Sequence, residues 1–222
     1  MDKNSMNNVT PFPGKVVPKF GFKRVKRLNT VRMEAEGQLN LFQSLPGRNA
    51  AGFGRDHTAQ IVRLPAHVPV FEEALMMDEC GDKKTAAEKY WKAITNGDRV
   101  ADAYCNLGII ECRAGNTSKA FNCFTNTLEA DPRHFEAHYN VANLYFEAGD
   151  LRLAKLHYEI ASEIKPDYPN LYFNLGMVHA LSEDYRSAIV ALSNYKELAP
   201  EMRDAHADEL IDSLKQSITK PG

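Results

Sequence analysis

The chain has 222 residues, of which 44% are hydrophobic and 25% charged, with a formal net charge of −2. This is the composition of an ordinary folded protein, and it excludes collagen-like and low-complexity chains. Nowhere do about 18 apolar residues run together, and the N-terminus lacks the continuous apolar stretch of a signal peptide, so a cytoplasmic protein without a membrane span is expected.

The chain begins basic. Residues 1–66 carry eleven Lys or Arg against four acids, a net +7, which leaves −9 for the rest. Pro11, Pro13, Pro18, Gly14 and Gly21 punctuate residues 1–36, where no apolar periodicity lasts, and a largely disordered arm is expected there. Within it Lys23, Arg24, Lys26 and Arg27, followed by Arg32, form a compact basic patch. Such a patch has the charge and reach to meet phosphates of nucleic acid or of anionic lipid. It equally suits a solvated tail, or one that folds back on an acidic surface of its own chain. No helix-turn-helix pattern, zinc-ligand set or aromatic RNA-binding signature accompanies it, so sequence-specific recognition of nucleic acid is not expected.

Next comes Gln38-Leu39-Asn40-Leu41-Phe42. It resembles the short peptide by which bacterial replication and repair proteins dock onto the sliding clamp. In that resemblance Leu41 and Phe42 fill an apolar pocket and Gln38 bonds at its rim, with Asn40 where Ser or Asp is commoner. Two adjacent apolar anchors in a polar tail are costly unless they find a pocket. The alternative is that Leu39, Leu41 and Phe42 cover the open end of the helical array that follows, or lie in its groove. Residues 43–66, with Pro46, Gly47, Gly52, Gly54 and Pro65, are a linker in which Gln60 to Leu64 is a short strand or docking segment.

From residue 67 the chain repeats every 34 residues. Leu107-Gly108 falls on Val141-Ala142 and Leu175-Gly176; Ala120 on Ala86, Ala154 and Ala188; Phe124 on Tyr90, Tyr158 and Leu192; Pro132 on Pro166 and Pro200. Gly115 has Gly81 and Gly149 as counterparts, and Glu183 breaks that column. In the copy Ala101 to His134, apolar residues at Tyr104, Leu107 and Ile110, then at Ala120, Phe124 and Leu128, recur at helical spacing, which predicts two amphipathic helices. Gly115 reverses the chain between them, Gly108 and Ala120 permit a close approach, and Asp131-Pro132 ends the second helix. Helices are predicted over 67–80, 83–97, 101–114, 117–130, 135–148, 151–164, 169–182 and 185–198, with a ninth near 201–218 from the spacing of Ala207, Leu210, Ile211, Leu214 and Ile218.

These columns resemble the tetratricopeptide repeat (TPR): a large residue, Leu-Gly, an aromatic, Ala, an aromatic and Pro. The departures are Glu111 in place of an aromatic, and a first copy with Glu73-Ala74 in the Leu-Gly columns and Asp98 in place of Pro. The resemblance implies an all-α solenoid of four repeats, 67–100, 101–134, 135–168 and 169–200, with 201–222 as a capping helix and tail. It also implies a concave groove in which Asn106, Asn140 and Asn174 hold the backbone of an extended peptide, since an amide offers both a donor and an acceptor. Glu72 replaces the fourth Asn. Cys105, Tyr139 and Phe173, one residue earlier, and Ile109, Asn143 and Met177, three residues later, are the expected walls, unless they pack against neighbouring repeats. The Lys and Arg pair that clamps a C-terminal carboxylate in chaperone-binding TPR domains is missing.

Signs of catalysis are sparse. His134 and His138 lie four apart, but His-Phe-Glu-Ala-His is not the zinc-protease pattern, and His138 occupies a packing column. No phosphate-cradling glycine loop or nucleophile elbow is present, and no cofactor is called for. Cys80, Cys105, Cys112 and Cys123 form no CxxC pair; they are expected as free thiols, Cys105 and Cys112 being the pair placed to hold a metal if further ligands join them. The expected function is a non-catalytic adaptor for a protein or peptide partner. The alternative is a DNA-associated factor recruited by Gln38 to Phe42 and the basic arm, with the sliding clamp or nucleic acid as partner.

Overall fold

The structure is a computed structural model that describes residues 21–26, 68–200 and 205–219. Among them are nine α-helices and no strand. The described residues divide into two compact units, 25–99 and 100–219, the second taking in the segment 21–24.

The first unit holds one hairpin, α1 (Val70–Glu79) and α2 (Lys83–Thr95). Phe71, Ala74, Leu75, Ala86, Tyr90 and Ala93 are its buried residues, with Phe71 tilted against Tyr90 at 5.7 Å. Helix α1 starts at Val70 rather than at 67, because Pro69 stands at its N-cap with an extended backbone. Asp98 accepts from the Phe71 N–H at 2.8 Å. The residue that replaces the repeat's proline thus satisfies a free donor in the first turn of α1, where a carboxylate also suits the helix dipole.

The second unit stacks three hairpins and a final helix: α3 (Val100–Arg113) with α4 (Thr117–Ala130), α5 (Phe135–Ala148) with α6 (Leu151–Ile164), α7 (Pro169–Leu181) with α8 (Tyr185–Leu198), and α9 (Ala205–Thr219) on α8. The repeat's small residues act as expected. A Cβ on Gly108 would lie 2.7 Å from the Phe124 ring, so α3 and α4 close only around glycine. Gly115 and Gly149 take φ +79° and +81° at the hairpin turns, and Glu183 keeps the same left-handed backbone at φ 61° although it has a side chain. Asp150 and Asp184 cap α6 and α8, accepting from Leu153 N–H and Ser187 N–H, as Asp82 caps α2 through Thr85 N–H. Helix α9 buries Ala207, Ile211 and Leu214 and exposes Ile218, which makes it an amphipathic cover for the last repeat.

Candidate functional site

Residues 21–26 run without helix or strand. In their middle Lys23 is clasped by Asn140 of α5. The Lys23 N–H donates to Asn140 Oδ1 at 2.7 Å, and Asn140 Nδ2 donates to the Lys23 carbonyl at 2.9 Å. Asn140 Nδ2 also points at Cys105 Sγ of α3, 3.7 Å away. Only one orientation of the amide serves all three partners, since the backbone donor and acceptor fix which end is oxygen. Asn140 is fully buried under this contact.

The neighbouring side chains are placed as specifically. The Phe22 ring stacks on Phe124 at 6.4 Å, on the ring that Gly108 admits. The Lys23 ammonium lies 4.4 Å from the ring centre of Phe135 and 3.9 Å from that of Tyr168, with Glu136 Oε1 at 3.6 Å. Phe135 and Tyr168 meet edge to face at 5.3 Å, and Tyr139 supports both, at 6.2 and 5.5 Å. Burial pushes the Lys23 ammonium below the ordinary lysine range; Glu136 opposes the shift and Lys165 adds to it. Cation–π attraction to two ring faces is worth roughly 0.5–2 kcal/mol per contact and offsets that desolvation.

Deeper in the repeats, Asn174 Nδ2 donates to Tyr139 Oη and to Asn143 Oδ1, each at 3.2 Å, and Tyr158 Oη also donates to Asn143 Oδ1. Burial pushes the Tyr139 and Tyr158 phenols up, so both stay protonated. The structure therefore brings Asn140, Asn143, Asn174 and Tyr139 together across α5 and α7, with Asn140 turned toward the arm and Asn143 and Asn174 bonded within the repeats. Asn106 and Ile109 are buried on α3. Met177 lies in the core cluster, and Phe173 packs against Tyr195 at 5.2 Å and His206 at 6.4 Å. Of the basic patch, Lys23 and Arg24 are half-buried and Lys26 is exposed. Arg27, Arg32 and the run Gln38, Leu39, Asn40, Leu41, Phe42 lie outside the described residues.

Sequence reasoning did not single out Phe135, Glu136 and Tyr168. One signal was available: Asp102 and Glu136, 34 residues apart, put an acid in the first turn of α3 and of α5. The two histidines of the 134–138 pair turn to different partners. His134 caps α5, its Nδ1 accepting from Ala137 N–H at 3.1 Å and its Nε2–H donating to Asp102 at 3.0 Å. His138 Nε2 lies 3.1 Å from the Pro132 carbonyl and its Nδ1 3.0 Å from His157 Nδ1. Burial lowers both rings of that pair, His157 to about 4, with His138 adding to the shift of His157. The four cysteines are free, and burial raises the thiols of Cys112 and Cys123 to about 12 and about 11. Among the described residues no His, Cys, Asp or Glu group has a metal-holding arrangement, and no helix is long and apolar enough to cross a membrane.

Helix hairpins repeating every 34 residues, with small residues at the close approach, are the architecture of tetratricopeptide repeats. The TPR-repeat family model matches residues 142–182. Among curated proteins the chain is 31% identical over 121 residues to mouse (Mus musculus) tetratricopeptide repeat protein 8, covering 54% of this chain and 23% of that protein. It is 29% identical over 120 residues to the bovine (Bos taurus) BBSome complex member BBS4, again covering 54% and 23%. The matched region thus spans less than a quarter of either relative. Among solved structures, YrrB, a TPR protein with an unusual peptide-binding site, superposes with a TM-score of 0.58 at 19% identity, over 68% of this chain and 76% of that one. MamA superposes at 0.57 and 19% identity, over 65% and 83%. The first TPR of Spaghetti (RPAP3), bound to the HSP90 peptide SRMEEVD, superposes at 0.50 and 20% identity, over 54% and 94%.

Proposed function

We propose that this chain is a non-catalytic adaptor that holds an extended peptide of a partner protein in the groove of its repeats, with Asn140 reading the peptide backbone. One observation carries the reading: the Asn140 amide pairs with both the N–H and the C=O of one residue in a segment without helix or strand. An amide used this way is indifferent to side-chain identity, as a general peptide holder requires. The solved neighbours described as having a peptide-binding site or a bound peptide support a groove used for peptides. The peptide SRMEEVD of one neighbour is acidic, whereas here Glu136 stands against a cation, so a ligand of opposite sign is favoured. The free thiols suit a reducing compartment such as the cytoplasm.

Affinity capture from lysate tests the reading. Asn140→Ala removes two hydrogen bonds worth about 0.5–1.5 kcal/mol each, so captured partners should weaken roughly five- to a hundredfold. If Asn140→Ala captures the same partners as wild type, and Leu41→Ala/Phe42→Ala loses them, the short motif and not the groove is the docking element.

A further inference from the structure

The groove's occupant reports on side-chain selectivity as well as on backbone holding. We propose that the groove carries a lysine-selecting subsite, built by Glu136, Phe135 and Tyr168 beside the Asn140 clasp, and that the free chain fills it with its own Lys23. This rests on the reading of the groove as a peptide holder and adds the class of ligand: an extended segment presenting an aromatic residue followed by lysine.

The selectivity follows from what surrounds the ammonium. Two ring faces lie 4.4 and 3.9 Å from it and one carboxylate 3.6 Å away. The faces of aromatic rings are negative and attract a cation, and the carboxylate adds to that attraction. An apolar side chain would take away the cation that Glu136 faces, and an acidic one would be repelled by Glu136 and by the ring faces. Phe22 supplies the second anchor, against Phe124. Lys26, three residues on, is exposed, so charge alone does not place a side chain in the cradle.

Self-occupancy follows from covalent attachment. A tethered segment meets its site at an effective concentration near the millimolar range, so a free peptide of equal intrinsic affinity is held off. Lys165, whose ammonium lies 5.6 Å from the same Phe135 ring, repels Lys23 and limits the grip. A partner segment of the same chemistry, present at high local concentration, displaces the arm. The −9 carried by residues 67–222 favours basic segments in that exchange.

The test titrates a fluorescein-labelled peptide of residues 18–28, PKFGFKRVKRL, against the full-length chain by fluorescence anisotropy. A full-length Phe22→Ala/Lys23→Ala variant, whose own arm is a poor occupant, should bind the peptide at least about tenfold tighter than wild type. On that variant Lys23→Ala in the peptide should weaken binding about tenfold or more, and Lys26→Ala by less than about threefold. Adding Glu136→Gln to the protein should shrink the Lys23 discrimination. Equal binding by wild type and the arm variant overturns self-occupancy; equal binding of the native and Lys23→Ala peptides overturns lysine selection. In either case, binding that still weakens with Asn140→Ala leaves the peptide-holding groove standing. No binding to an arm variant that melts like wild type overturns both.

Discussion

Asn140 and Asn174 occupy one column of the repeat and are chemically identical, yet the partners of their amides differ because the residues packed on them differ. Asn140 lies beside Cys105, a small weak acceptor that leaves its amide turned outward to the Lys23 backbone. Asn174 lies beside Tyr139 and Asn143, whose oxygens take its amide donors. A column of asparagines is legible in sequence; the side chains that pack on each amide lie 31 to 35 residues away, in the preceding repeat. The His138–His157 contact carries a prediction at this scale. His157 has a folded pKa of about 4 against about 6.5 unfolded, and His138 is lowered as well. Between those values the unfolded chain binds more protons, so stability falls as the pH drops from about 6.5 toward 4. His157 is partly exposed, which holds the effect to on the order of 1 kcal/mol. Urea unfolding at pH 7 and pH 5 should show a smaller loss for His157→Gln than for wild type; equal losses would mean that the pair does not feel its burial.

The helices themselves were largely written in the sequence. Those predicted over 117–130, 135–148, 151–164 and 185–198 have the bounds of α4, α5, α6 and α8, because a glycine or aspartate turn and an X-Pro stop bracket each second helix, and the Pro132 turn and Gly149 bracket α5. The start of α1 was less legible. It lies a few residues later than the periodicity suggested, at Val70, and the spacing of apolar residues does not mark where a first turn begins. Packing between paired helices gives a sharp test. Gly108→Ala would place a methyl group 2.7 Å from the Phe124 ring, which is itself fully buried and backed by Phe22. Overpacking of this kind costs about 1–3 kcal/mol. A urea midpoint unchanged from wild type would contradict the close approach of α3 and α4.

At the level of the whole molecule, the charge asymmetry read from composition has a structural counterpart among the described residues, where Lys23 of the basic arm meets Glu136 of the acidic repeats. The possibility that the arm folds back on its own chain was open in the sequence, together with a solvated tail and a phosphate-binding patch. It could not be settled there, because the contact joins residues 117 positions apart and no periodicity reports it. The cradle was hidden for a related reason: Phe135, Glu136 and Tyr168 come from the start of α5 and the turn before α7, and only folding gathers them around one side chain. The proposed peptide holding depends most on the clasp of Asn140 on the Lys23 backbone. Its most direct test is the hydrogen-exchange rate of the Lys23 backbone amide by NMR, in the full-length chain and in Asn140→Ala. The clasp predicts exchange slowed in wild type and restored toward the rate of an unstructured chain in the variant. A Lys23 amide that exchanges at the unstructured rate in wild type would contradict it.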